Sequence, residues 1–118
     1  MQRPFIDAHV HLNTNTQAKL QLAAQYDAYF VSINTDIPFF IDLKAQREMI
    51  NTLNQSTQRS FFITSFDTQY WNTPRWLPHA IEQIKAGIAA GAKGVKIWKN
   101  IGMDENLKDD QGNFVLLD

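Results

Sequence analysis

The chain contains no cysteine, so neither a disulfide framework nor a thiolate metal site is available. Any metal must therefore be held through nitrogen and oxygen. Clustered Lys and Arg are also lacking. Eleven basic and twelve acidic residues are interspersed and sum to a net charge of −1. No phosphate-binding face results, and nucleic acid is not an expected partner. No apolar run approaches the roughly 20 residues of a membrane span, so no membrane partner is expected. The first strand-like segment begins a few residues after Met1 and leaves no room for a signal peptide, which points to a cytoplasmic location.

What is present is the composition of an ordinary globular domain, 44% hydrophobic and 19% charged over 118 residues. That length supports one domain and one core, spanning 1–118. Apolar runs rich in β-branched and aromatic residues fall at 5–11, 28–34, 60–66 and 94–100 and predict strands. Between them lie helical patterns. "NTNTQAKLQLAAQ" offers Asn and Thr capping candidates and a short helix to about Gln25. A longer helix is predicted from Phe39 to Gln55, with Phe39, Leu43, Ile50 and Leu53 on one face. A third has Leu77, Ile81, Ile84 and Ile88 at i, i+4, i+7 and i+11, with Pro78 in its first turn and Gly91 at its end. A turn is predicted at 110–112. Alternation of this kind implies a parallel sheet with right-handed crossovers. Three βα units and a fourth strand are about half of a barrel, which needs roughly 200 to 250 residues. The reading is α/β, the N-terminal half of a (β/α)8 TIM barrel. The rival is a small self-contained parallel α/β domain.

Two stretches carry chemistry. In "FIDAHVHL", two of the three histidines, His9 and His11, stand two apart with Asp7 two earlier, all in one alternation phase. Residues i and i+2 of a strand point to the same face about 6.5 to 7 Å apart, a spacing from which two imidazoles can converge on one cation. Asp7 could serve an imidazole N–H from behind. A pair of histidines hydrogen-bonded at a strand end without metal remains open. In "GVKIWKN", Lys96 lies between Val95 and Ile97. An unpaired buried ammonium costs several kcal/mol, and a desolvated lysine becomes the neutral amine that reacts with CO2 to give a carbamate, an anionic oxygen ligand. A catalytic, salt-bridging or pore-side lysine is equally open.

These two stretches together resemble the amidohydrolase superfamily of metal-dependent hydrolases, with HxH ending strand one and a lysine in strand four. The resemblance implies a TIM barrel holding one or two divalent ions, Zn2+ foremost. His9 and His11 would be metal ligands, and Lys96, carboxylated, would bridge the metals and act catalytically. The family's later histidines and its water-activating aspartate lie on strands five, six and eight, beyond these four strands, so the 118-residue chain alone is expected to be inactive. TatD-type nucleases and histidinol-phosphatase-like phosphoesterases share the HxH opening, but the first use a glutamate on strand four and the second add histidines soon after the first pair.

The expected activity is hydrolysis of an amide, lactone or similar C–N or C–O bond of a small molecule by metal-activated water. Asp67, Trp71, Lys99 and Asn100 are the candidate substrate-binding residues, with Asn34, Asp36 and Tyr70 as further pocket walls. A decarboxylase or hydratase of the same superfamily, or a non-catalytic α/β module, are the alternatives. His79, in the first turn of a helix, is expected to have a surface or capping role. Four strands leave two open edges, through which homo-oligomers are expected.

Overall fold

Strand and helix alternate as the hydrophobic pattern requires. β1 (Phe5–Val10), β2 (Ala28–Ile33) and β3 (Ser60–Ile63) are parallel and ordered β1-β2-β3, with α1 (Gln17–Gln25), α2 (Leu43–Asn54) and α3 (Trp76–Ala89) between and after them. The computed structural model describes residues 3–13 and 16–116; the capping candidates Thr14 and Asn15 lie outside these. Beyond β3 the ladder continues to residues 93–96. Lys93 N–H donates to Phe62 C=O at 2.8 Å, Thr64 N–H to Gly94 C=O at 3.0 Å, and Lys96 N–H to Thr64 C=O at 2.8 Å, around a parallel Thr64–Val95 bridge. The predicted fourth strand thus pairs over its first residues only. By Trp98 the chain has begun to turn, its carbonyl accepting Ile101 N–H at 3.2 Å.

Register assigns the faces. Phe30 pairs with Ser60 and Ser32 with Phe62, and Phe30 and Phe62 both pack with Leu20, Ile50 and Leu53 of the helices. These residues form the helix-covered face. Tyr29, Val31, Ile33, Phe61 and Ile63 alternate to the other side, here called the open face. On it Tyr29 stacks on Phe61 at 6.5 Å between ring centres.

β1 does not keep one alternation. Asp7 pairs with Phe30 but Val10 pairs with Ser32, so three residues of β1 advance against two of β2. This β-bulge places Asp7 and Val10 on the same, helix-covered face. His9 and His11, alternating with Val10, therefore turn to the open face. The shared phase of Asp7 with the two histidines, expected from strict alternation, is broken.

α2 starts four residues later than its pattern suggested. The Asp42 carboxylate accepts Ala45 N–H at 2.8 Å and caps the helix, leaving Phe39 outside it and 82% exposed. Gln46, almost fully buried, then latches the helix to the end of β2. Its Nε2 donates to Thr35 C=O at 2.8 Å and Ile41 C=O at 2.7 Å, and its Oε1 accepts Thr35 N–H at 3.1 Å.

α3 packs on the sheet by a different face from the expected one. Ala80 and Gly87 are buried, whereas Leu77, Ile81 and Ile88 are 59, 41 and 58% exposed. The reason is closeness. A Cβ at residue 87 would lie 2.6 Å from Thr64 Cβ, so only glycine permits this approach. Gly91, with φ +98, ends the helix as predicted, and a turn through Gly112 is present, closed by an antiparallel Lys108–Phe114 bridge.

The whole is an α/β assembly with an open sheet. Its radius of gyration, 16.4 Å, exceeds the about 13.5 Å of a compact domain of this length. No helix among the described residues is long and apolar enough to cross a membrane.

Candidate metal centre at the strand ends

Parallel sheets gather chemistry at the carboxyl ends of their strands, where loops can converge above the core. At the end of β1 the imidazoles of His9 and His11 lie edge to face, 5.6 Å between centroids. His9 is exposed. His11 is half-buried against the Phe40 ring at 5.4 Å, and its Nδ1 is buried with no hydrogen-bond partner. Asp7 serves the backbone rather than an imidazole: its Oδ1 accepts His9 N–H at 3.2 Å.

The end of β2 joins this edge by hydrogen bonds. Leu12 N–H donates to Ser32 Oγ at 3.1 Å, and Ser32 Oγ–H donates to Asn34 Oδ1 at 3.2 Å. Asn34 and Thr35 are 1 and 0% exposed, yet Asn34 Nδ2 and Thr35 Oγ1 have no partner. Buried polar groups left unpaired cost about 1–3 kcal/mol each and are rare in folded chains. Three of them, His11 included, stand at the ends of two adjacent strands.

Lys96 occupies the other edge. Val95 pairs with Thr64, and Thr64 meets α3 at Gly87, so Val95 belongs to the helix-covered side and Lys96 to the open face. The side chain is half-buried and makes no ion pair or hydrogen bond among the described residues, while its backbone carbonyl accepts Ser65 Oγ–H at 2.8 Å. Three inter-strand spacings of about 4.8 Å separate it from β1. Accordingly, no group of three or more His, Asp or Glu side chains suited to a metal gathers among the described residues.

The other site residues named from the sequence are engaged elsewhere. Asp67, after β3, is turned to α3, where its Oδ1 pairs with His79 Nε2 at 2.8 Å and its Oδ2 accepts Gln83 Nε2–H at 2.6 Å. Its own N–H donates to Gln83 Oε1 at 2.8 Å. This is a fastening, and it borders a cavity of about 420 Å³ between α2 and α3 that also meets Asp36, Arg47 and Glu82. Burial first, and then the Asp67 charge, raise the Asp36 carboxyl above its ordinary value. Trp71 Nε1–H donates to Lys108 C=O at 2.8 Å, and its ring packs edge-on to Trp76 at 4.7 Å. Lys99 is exposed with its ammonium 5.5 Å from the Trp98 ring centre, and Asn100 Oδ1 accepts Ile101 N–H at 3.0 Å. None of the four is brought to the histidines.

His79 is the residue whose role sequence reading missed. It grips Asp67 together with Gln83, one turn later on the same helix face, and the i, i+4 spacing of the two was the available signal. Tyr70 lies edge-on over His79 at 5.3 Å and Arg75 over Tyr70 at 4.0 Å, extending the stack to the surface.

Comparison with protein-family models, with curated proteins and with solved structures finds no match in any of the three.

Proposed function

We propose that this chain forms the first half of a (β/α)8 barrel of amidohydrolase type, in which His9 and His11 hold a divalent metal for hydrolysis of an amide, lactone or related bond in a small molecule. The observation that carries the reading is the β1 bulge. It delivers both imidazoles to the open face at the carboxyl end of a parallel strand, with a buried and unpartnered nitrogen on His11. The donors present fit the group in kind: two imidazoles suit Zn2+ and its neighbours as part of a ligand set, and the remaining ligands would come from elsewhere in the barrel. Such an ion lowers the pKa of bound water and polarises a carbonyl. Thr35, which follows Ile33 in the open-face phase and has a buried hydroxyl without a partner, orients what binds there. Lys96, on the same face and unpaired, is the carbamate candidate once the sheet curves far enough to bring the edges together.

The barrel reading rests on the same features. Three parallel strands in sequence order, a fourth segment bridged beside β3 and a helix layer on one face are compatible with half of a barrel. Against the self-contained domain stand the radius of gyration of 16.4 Å and the exposure of large apolar side chains such as Phe5, Ile6 and Leu77.

The test is metal content. Protein purified without chelator and dialysed against Zn2+ or Co2+ should retain metal, and His9→Ala with His11→Ala should abolish retention while leaving far-UV circular dichroism unchanged. Equal metal in the double variant would refute the assignment. Incorporation of 13C-bicarbonate at Lys96, read by NMR and lost in Lys96→Ala, tests the carbamate separately.

A further inference from the structure

The cavity of about 420 Å³ between α2 and α3 lies away from both open edges of the sheet. Its strand-end wall comes from the segments after β2 and β3, and each of these strands already has a neighbour on either side. The cavity is thus bordered by consecutive elements of this chain, and a strand or helix added at an edge would not fill it. His9 and His11 take no part in its lining.

Most of the charged side chains around it are engaged. Asp42 caps α2, and Lys44 reaches Glu48 at 3.8 Å. Asp67 is saturated: it accepts Gln69 N–H at 3.0 Å as well as Gln83 Nε2–H, and pairs with His79. Two half-buried groups are left over. Asp36 and Arg47 make no hydrogen bond or ion pair, with each other or with any described residue. Yet they are fixed as neighbours. Gln46 holds Thr35 by both its N–H and its C=O, so the residues that follow, Arg47 on α2 and Asp36 after β2, flank one latch. An unpaired charge withdrawn from water destabilises a fold. The Asp36 carboxyl, raised by burial and by the Asp67 charge, bears that strain. The space beside the two groups is of the size that holds a small molecule, about 300 to 1,000 Å³ in most binding sites.

We propose that this cavity binds a small zwitterion of the α-amino acid class, its ammonium on Asp36 and its carboxylate on Arg47. A simple anion is opposed by sign, because Asp36, Asp67 and Glu82 border the space along with Arg47. A simple cation meets the guanidinium. A metal ion finds no group of three suitable side chains among the described residues. A ligand bearing both charges satisfies both unpaired groups at once. Arginine grips a carboxylate through two parallel N–H···O bonds, and Asp36 accepts the ammonium protons. The α position keeps the two charges of the ligand close, as the latch keeps Asp36 and Arg47. Leu43 and Ala86 are the only apolar lining, too little for a large hydrocarbon side chain, so small or polar amino acids suit the space.

Isothermal titration calorimetry and thermal unfolding of the full chain test this at neutral pH, with glycine, alanine, serine and glutamine as probes. At least one should bind, one molecule per chain, and raise the thermal midpoint. Its methyl ester lacks the carboxylate and its N-acetyl form lacks the ammonium; each should bind roughly tenfold more weakly or worse. Arg47→Gln and Asp36→Asn should weaken binding by a similar factor. Asp36→Asn should do so while unfolding at a higher temperature than wild type without ligand, a combination that a merely structural role does not produce. Should a variant fail to fold, the two blocked analogues on the wild-type chain make the same comparison. No binding by any probe, equal binding of either blocked analogue, or methylamine or acetate bound as tightly as the amino acid would each overturn the proposal. It stands apart from the metal reading, since His9→Ala with His11→Ala should leave amino acid binding unchanged.

Discussion

Gly87→Ala sets two effects of opposite sign against each other. In a helix interior alanine is favoured over glycine by about 1 kcal/mol, so on propensity alone the variant gains stability. Packing opposes this. The new Cβ would stand 2.6 Å from Thr64 Cβ and 2.7 Å from Thr64 Cγ2, and closer still to Oγ1, where ordinary contacts begin near 3.4 Å. Thr64 cannot retreat. It is 1% exposed, and its backbone is bonded on both sides, to Gly94 C=O and from Lys96 N–H. α3 must lift instead, against the Asp67 ties to His79 and Gln83. Overpacking of this kind costs about 1–3 kcal/mol, and a clash with several atoms of a pinned residue belongs at the upper end. The net is a loss of about 2 kcal/mol, or a thermal midpoint lower by about 10 °C. Urea unfolding followed by circular dichroism reads it. Thr64→Ala in the same background removes two of the three clashing atoms and should restore part of the loss. A Gly87→Ala variant more stable than wild type would show that α3 does not press on the end of β3.

Gln46→Leu keeps the volume of the latch between α2 and β2 but strands Thr35 N–H, Thr35 C=O and Ile41 C=O. It should cost about 2–4 kcal/mol and speed hydrogen exchange at the Thr35 amide; unchanged exchange would refute the latch. Asp36 is raised in the folded chain, so its ionisation opposes folding as pH climbs past the unfolded value near 3.8. Asp36→Asn should therefore be more stable than wild type at neutral pH, with the advantage vanishing in acid; a pH-independent difference would count against it. Asp109 is lowered, chiefly by the Asn113 backbone N–H, and its turn should lose stability as pH falls through its folded value. Asp109→Asn should flatten that dependence, read from the Asn113 amide.

The order of elements was legible because each strand run is bounded by residues that cannot continue it, and the ends of α1 and α3 follow from the pattern. Facing was not. The α3 periodicity identified an apolar stripe correctly as a stripe, but nothing in Leu77, Ile81 and Ile88 says that the sheet prefers the smaller side formed by Ala80 and Gly87. The start of α2 was misplaced because Phe39 fits the helical period, while the Asp42 cap three residues later overrides it. At the candidate site, the spacing of His9 and His11 read true as a same-face pair. Asp7 did not, since no glycine or proline in "FIDAHVHL" announces a bulge. Asp67 was noticed for its place after β3, yet its partners lie 12 and 16 residues on, and only the folded crossover brings them to it.

The interruption in β1 makes it a strand in two independent halves. Phe5 and Ile6 answer to the edge and to whatever lies beside it, whereas His9 and His11 answer to the loops above the sheet. Loss of Ala8 would merge the halves into a regular ladder, with Asp7 still opposite Phe30 and both imidazoles still on the open face. A length change of one residue is thus absorbed at the junction without turning the ligands around. The edge of the sheet can diversify, lengthen or acquire a new neighbour while the chemistry a few ångströms away stays where it was, a separation that an unbroken strand could not offer.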